Sequence, residues 1–314
     1  MNQFNSARIL FIGNPEFSIP SLNKIVSSHH KLVGVVTSVD KTKGRGKKLS
    51  ETSISKRSKE LNLPLYKPSD LNDLNFLNKI KKLNIDLIIV VAFRILPDSL
   101  LKIPKYGSIN LHPSLLPKYR GAAPLQWSII NSEIHSAITT FLVSNELDKG
   151  DILKSTSLVI FPNDDYGNLY RRSSKIGSKL LFKTIDQFLN KKILPISQKN
   201  QKSTRAPKIQ SKDLKIYWNV SSNIIQNKIL AFSPNPGAYT FFKNKRLKIF
   251  SVTQSLKDRK KNYGEIVEIN KKSFVVQCKN SSVKIHEIQY EGRKRMKSSE
   301  FILGNKLEIG DFFE

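Results

Sequence analysis

Asn110 and His112 stand two residues apart at the end of the apolar run GSINLH (107–112), and a carboxylate, Asp148, follows in ELDKGDIL (146–153). A β-strand repeats with period two, so an amide and an imidazole at i and i+2 project from one face. Two donors aimed at one point suit a reaction in which negative charge develops on an oxygen. A histidine used in that way needs a partner that orients it and, when it is cationic, a compensating acid. Asp148 is the candidate, and Gly150 lets its loop turn sharply. Taken alone, an Asn-x-His at a strand end is more often a loop cap with a surface histidine, and Asp148 a turn residue. Whether the three can meet depends on the elements that carry them.

The first half of the chain alternates short apolar runs with amphipathic segments. ARILFIG (7–13), KLVGVVTS (31–38), DLIIVVAF (86–93), GSINLH (107–112) and AITTFLV (137–143) read as buried parallel strands. Helix-like segments lie at 18–28, 52–62, 73–84 and 123–133, and a long amphipathic helix spans 165–190. Strands alternating with helices imply βαβ units and an open, mostly parallel, Rossmann-like α/β sheet. Ligands of such sheets bind beyond the carboxyl ends of the strands, where Asn110 and His112 fall. The first strand runs into GNPEF rather than G-x-G-x-x-G, and no P-loop is present, which argues against a dinucleotide enzyme or an NTPase. Residues 191–210 are polar, basic and unpatterned, as a linker is. From 211 to 314 apolar and polar residues alternate between turn signals, with a helix near 220–232, as expected for a small OB-like β-barrel domain.

The 314 residues include 53 Lys+Arg against 25 Asp+Glu, a formal net charge of +28. An excess of this size favours a polyanionic partner. A Lys-, Asn- and Ile-rich composition of the kind an AT-rich genome imposes is the competing explanation. Residues 191–314 carry 26 Lys+Arg and 10 Asp+Glu, more than half of the excess, which favours the polyanion. The densest cationic loop is DKTKGRGKK (40–48), with Lys41, Lys43, Arg45, Lys47 and Lys48 around two glycines. Flexible backbone with interleaved cations suits phosphate tracking, and a solvated loop is the plain alternative. KNKRLK (243–248), KDRKK (257–261) and GRKRMK (292–297) are further candidate patches. No apolar run long enough for a transmembrane helix and no cleavable signal are seen, so a cytoplasmic protein is expected. The single Cys278 leaves no intramolecular disulfide and no zinc cluster, and no metal site is expected. His29, His30, His135 and His286 read as structural.

NLHPSLLPKYRGAAP together with ELDKGDI resembles the signature of the 10-formyltetrahydrofolate-dependent formyltransferases. SLLP, then a basic residue, an aromatic and RGAAP, resembles the branch that acts on methionyl-tRNA. IGNPEFSIPSL is similar to that branch's first strand and helix, VTSVDKTKGRGKKLSETSISKRSKELNLPLYKP to its basic loop and following helix, and KIQSKDLKIYW with AFSPNPGAY to the opening of its C-terminal domain. The likeness covers the whole chain. It implies catalytic roles for Asn110, His112 and Asp148, folate contact at Ser114, Leu115, Leu116 and Pro117, and contact with the tRNA acceptor end by residues 41–48, with Arg45 in the matching arginine position.

The reaction so implied is attack by the α-amine of methionyl-initiator-tRNA on the formyl carbon of 10-formyltetrahydrofolate, a co-substrate. Asn110 and His112 would hold the oxyanion, and Asp148 would hold the imidazole. The resemblance divides the chain into a catalytic domain (1–190), a linker (191–210) and a tRNA-binding barrel (211–314), working as a monomer. Two alternatives stand beside it: a formyltransferase acting on a small amine such as glycinamide ribonucleotide or an amino sugar, and a non-catalytic RNA-binding protein on this scaffold. The chain departs from the family pattern at Arg94, which follows the strand directly in a segment one residue shorter, and at Ser144, Lys149 and Tyr217.

Overall fold

The computed structural model describes residues 6–43, 48–199 and 202–314. By contact density the chain forms two compact units, one made of 1–121, 135–159 and 170–205, the other of 122–134, 160–169 and 206–314.

The first unit is built on β1 (Arg8–Gly13), β2 (Lys31–Val36), β3 (Lys41–Lys43), β4 (Lys48–Ser50), β5 (Leu65–Tyr66), β6 (Leu87–Val91), β7 (Ser108–His112), β8 (His135–Leu142) and β9 (Ile152–Val159). Seven of these form one sheet in the order β5-β2-β1-β6-β7-β8-β9. The five strands from β5 to β7 run parallel, as the alternation of apolar runs and helices predicts. β8 is antiparallel to both β7 and β9, so the sheet is mixed at that edge.

β1 and β6 are buried on both faces, which is why their sequences are unbroken apolar runs. Leu10, Ile12, Ile88 and Val90 pack on one side against Phe76, Leu77 and Ile80. These three lie on the helix Leu74–Lys81, whose N-cap Asp73 accepts the Phe76 N–H at 2.7 Å. On the other side the helix Tyr166–Leu189 brings Gly177 against Leu111 and Ile138; a Cβ there would stand 2.9 Å from Leu111 Cδ2. Leu111 therefore faces that helix, and its neighbours Asn110 and His112 face the opposite side of the sheet. β3 and β4 pair as a short antiparallel hairpin at the base of the cationic loop. Residues 191–210, expected as a linker, are tied down in part: Ile196 and Ile152 exchange backbone hydrogen bonds at 2.8 Å, and the Arg120 N–H donates to the Thr204 carbonyl at 3.0 Å.

The second unit holds β10 (Ala238–Phe242), β11 (Lys245–Ser255), β12 (Ile266–Ile269), β13 (Phe274–Cys278), β14 (Ser281–Tyr290) and β15 (Met296–Lys297). All of their pairings are antiparallel, in the order β10-β11-β14-β13-β12 with β15 added to β14. Edge strands β10 and β12 are not paired with each other. Residues 311–314 fill the gap: Phe241 and Glu314 exchange backbone hydrogen bonds at 3.1 and 3.0 Å, and the Phe313 N–H donates to the Gly264 carbonyl at 2.9 Å. Both exposed edges are covered in this way, and the sheet curls into a barrel. Its core packs Phe242, Phe274, Phe301 and Phe313 together, mostly edge to face, with ring centroids 5.3–6.2 Å apart. Cys278 lies fully inside this core, where burial pushes its thiol up to about 12. That places it among inert structural cysteines. No helix among the described residues is long and apolar enough to cross a membrane.

Candidate active site

β7 carries Asn110 and His112 at its carboxyl end, and the loop between β8 and β9 carries Asp148. The pairing of β7 with β8 sets Asn110 opposite Phe141 and His112 opposite Thr139, so the loop after β8 returns beside the same face. His112 Nδ1 lies 3.7 Å from Asp148 Oδ2, and both side chains are nearly buried, at 6% and 8% exposure. That distance is too long for a hydrogen bond between them.

The imidazole is fixed from its other side. His112 Nε2 is 2.9 Å from the Tyr119 carbonyl oxygen. A carbonyl only accepts, so Nε2 carries a proton and Nδ1 is the nitrogen left for chemistry. Phe141 meets the ring edge to face at 6.4 Å and limits its tilt. Asp148 is anchored by the Gly121 N–H, which donates to Oδ2 at 2.8 Å. Its backbone sits at φ 52°, in the left-handed region that Asp tolerates but most residues avoid. Strain of this kind concentrates where a side chain must be aimed. Tyr119 and Gly121 thus hold one member each of the His112–Asp148 pair, from adjacent turns of the YRG segment.

Asn110 completes the group. It lines a pocket together with Val90, Phe93, Leu96, Phe141 and Asp148. Its Oδ1 is buried and has no hydrogen-bond partner. Leaving a buried polar atom unpaired costs about 1–3 kcal/mol, so such an atom beside a pocket marks a place where something else is meant to bind. Arg94 and Ser144, both departures from the family pattern, line the same pocket. The Arg94 guanidinium is turned back onto the Pro68 and Ser69 carbonyls at 3.3 Å.

Ser114, Leu115, Leu116 and Pro117 form the turn that follows His112. Ser114 Oγ donates to the Lys118 carbonyl at 2.7 Å, and Leu116 is buried. Leu115 is 48% exposed. None of the four lines the pocket that holds Asn110 and Asp148.

Two residues of this neighbourhood carry no signal that residue-type reasoning picks out. Arg120 is buried, with Nε and Nη2 donating to Gln198 Oε1 at 3.2 and 2.7 Å. Gln198 Nε2 in turn donates to the backbone carbonyls of Asp148 and Gly150 at 2.9 and 2.7 Å. Burial lowers the Arg120 pKa, and the Asp148 and Glu146 carboxylates oppose that shift.

Residues 7–185 match the formyl transferase family, and residues 208–306 match its C-terminal domain. Over 306 residues the chain is 39% identical to the methionyl-tRNA formyltransferase of Alkaliphilus oremlandii, covering 97% of this chain and 98% of that one. The chain belongs to the methionyl-tRNA formyltransferase family. It is a formyl-transferring enzyme, as the resemblance of its central motifs implies. Among solved structures, the methionyl-tRNA formyltransferase of Clostridium thermocellum shares the fold at a TM-score of 0.57 and 18% identity, covering 79% of this chain and 93% of that one. HypX from Aquifex aeolicus, in complex with tetrahydrofolic acid, does so at a TM-score of 0.67 and 18% identity. It matches 99% of this chain, which spans about half (51%) of HypX.

The cationic segments of this methionyl-tRNA formyltransferase family member differ in how far their charge is engaged. Arg45 and Lys47 lie outside the described residues. Lys41 is exposed on β3, and Lys43 stands opposite Lys48 in the hairpin register. Arg259 pairs with Glu268, and Arg295 with Glu287, each at 2.6 Å. Exposed pairs of this kind cancel much of the local field. In the 243–248 patch, Arg246 instead lies 4.4 Å over the ring of Tyr239, an aromatic–cation surface of the type that stacks on nucleic acid bases.

His29 and His30 were read as structural, and the structure adds Asp186 to them, within metal-ligand spacing. The Ala7 N–H donates to His30 Nδ1 at 3.2 Å, so the His30 proton sits on Nε2, which faces Asp186 Oδ1 at 3.1 Å. A ring held in that tautomer offers the carboxylate a donor and has no lone pair for a metal. Burial and the neighbouring His29 hold its pKa below the ordinary value, against the raising effect of Asp186.

Proposed function

We propose that this chain transfers the formyl group of 10-formyltetrahydrofolate to the α-amine of methionyl-initiator-tRNA, the step that prepares the initiator for translation, as a cytoplasmic monomer. The observation that supports the reading is the Asn110 carboxamide, whose buried Oδ1 has no hydrogen-bond partner, in a pocket whose wall includes Asp148 of the His112 pair.

The amine nitrogen attacks the formyl carbon, and the carbonyl oxygen gains a full negative charge. The Asn110 amide and the protonated His112 Nδ1 donate to that oxygen. The Asp148 carboxylate compensates the imidazolium charge from 3.7 Å without capturing its proton. Asp148 Oδ2 is already engaged by Gly121, so Oδ1 is the acceptor for the amine proton, directly or through a water. The tetrahedral carbon then expels N10 of the folate, which takes up that proton, and the carbonyl reforms as an N-formyl amide. The folate lies along the 114–117 turn, with Leu115 as its exposed contact. Catalysis belongs to residues 1–190 and tRNA contact to the barrel from 211 onward and to the loop 41–48.

A formyl-transfer assay from 10-formyltetrahydrofolate, run with methionyl-tRNA beside glycinamide ribonucleotide, tests the acceptor. Turnover of the tRNA alone is expected; turnover of the ribonucleotide alone, or of neither, would overturn the reading. Arg45→Ala extends the test to the cationic loop. It should raise KM for the tRNA and reduce the slope of log(kcat/KM) against log[salt] by about one charge, with KM for the folate unchanged. An equal loss with a tRNA-free amine acceptor would show that the loop does not read phosphate.

A further inference from the structure

We propose that residues 196–199 and 202–205 act as a strap that sets the geometry of the catalytic pair, and that Gln198 is its positioning residue. The proposal rests on the catalytic roles given above to His112 and Asp148.

Both catalytic side chains are held through the short run Tyr119–Gly121, by the Tyr119 carbonyl on His112 and the Gly121 N–H on Asp148. The strap grips that run from outside. Thr204 Oγ1 accepts the Tyr119 N–H at 2.9 Å, and the Thr204 carbonyl accepts the Arg120 N–H at 3.0 Å. At its other end Ile196 exchanges two backbone hydrogen bonds with Ile152. Between these anchors Gln198 joins the two catalytic loops through one side chain. Its carbonyl end takes the Arg120 guanidinium, and its amide end donates to the Asp148 and Gly150 carbonyls.

These contacts serve a specific need. Asp148 sits in the left-handed region, where its carbonyl cannot join a regular ladder. The Gln198 N–H groups satisfy that carbonyl and the one two residues on. Without them the Asp148 backbone at φ 52° is held only through the Gly121 contact to its carboxylate, and a change there swings the carboxylate relative to His112 Nδ1. Misplacement of a reacting group by about 1 Å can cost on the order of a hundredfold in rate.

The discriminating variant is Gln198→Glu. It keeps length and shape and pairs at least as well with Arg120, but it removes both N–H donors and faces two carbonyls with a carboxylate. Gln198→Met removes both ends at nearly constant volume. Both variants should lose about 10- to 100-fold in kcat, with KM for each substrate within about twofold of the parent. The His112 side-chain 15N resonances, assigned with His112→Gln, should move in both variants while those of His135 and His286 stay. A kcat within about twofold of the parent, a loss confined to KM, or unmoved His112 resonances would overturn the strap. The resonance arm needs no turnover. A parent chain that formylated nothing would therefore sink the reading of the reaction and leave the strap to be judged by the histidine alone.

Discussion

Asn110→Ala and His112→Ala should each lower kcat for formyl transfer by about 10²–10³-fold, with KM for either substrate little changed. The size follows from the usual worth of one preorganised oxyanion donor, about 2.7–4 kcal/mol at the transition state. The effect belongs to kcat because the oxyanion exists only after the amine has attacked. The two variants should differ in stability. Asn110→Ala removes a buried oxygen that has no partner, so the fold should be unchanged or slightly firmer. His112→Ala removes the hydrogen bond to the Tyr119 carbonyl and empties space beside Phe141, at a cost of about 1–3 kcal/mol. Stopped-time formylation assays and thermal melts on the same preparations check both statements. An Asn110→Ala protein that turns over normally would remove Asn110 from the mechanism.

Gly150→Ala should be the most damaging single methyl group in this region. A Cβ at Gly150 would stand 1.6 Å from the Leu142 carbonyl oxygen, far inside contact distance. The backbone on both sides is committed: the Leu142 N–H donates to the Asp151 carbonyl at 2.9 Å, and the Gly150 carbonyl accepts from Gln198. Relief must come from moving the loop that holds Asp148, two residues away. A loss of about 2–4 kcal/mol in stability is expected from strain of this kind. In a protein of this size that lowers Tm by about 3–6 °C, and kcat should fall with it. A variant that melts with the parent and turns over at the same rate would show that the loop yields to a Cβ without cost.

The strands that matter most were legible because burial on both faces forces unbroken apolar runs, as in RILFIG and LIIVV. Their direction was not legible. AITTFLV looks the same whether it joins the sheet parallel or antiparallel; its antiparallel sense shows only in its register with β7. β9, ILKSTSLV, escaped detection because an edge strand alternates with polar residues and resembles a loop. Asn110 and His112 were legible from period-two geometry at a strand end. Asp148 gained its standing from the family motif, since a carboxylate in a turn is unremarkable by itself. Gln198 and Thr204 were invisible for a physical reason. Their partners are backbone groups and a guanidinium 48 to 85 positions away, so no periodicity or local motif records them, and their setting in a polar, basic stretch reads as a connector.

The account's central claim is that the Asn110 amide and the His112 imidazole stabilise one and the same transient anion. The single-turnover rate of the double variant Asn110→Ala/His112→Ala, at saturating 10-formyltetrahydrofolate and methionyl-tRNA, tests it most directly. Groups that act as a unit are strongly non-additive, so the double variant should fall within about tenfold of the slower single variant. Losses that multiply, to about 10⁴–10⁶-fold, would mean that the two side chains act on separate steps and would contradict the shared site.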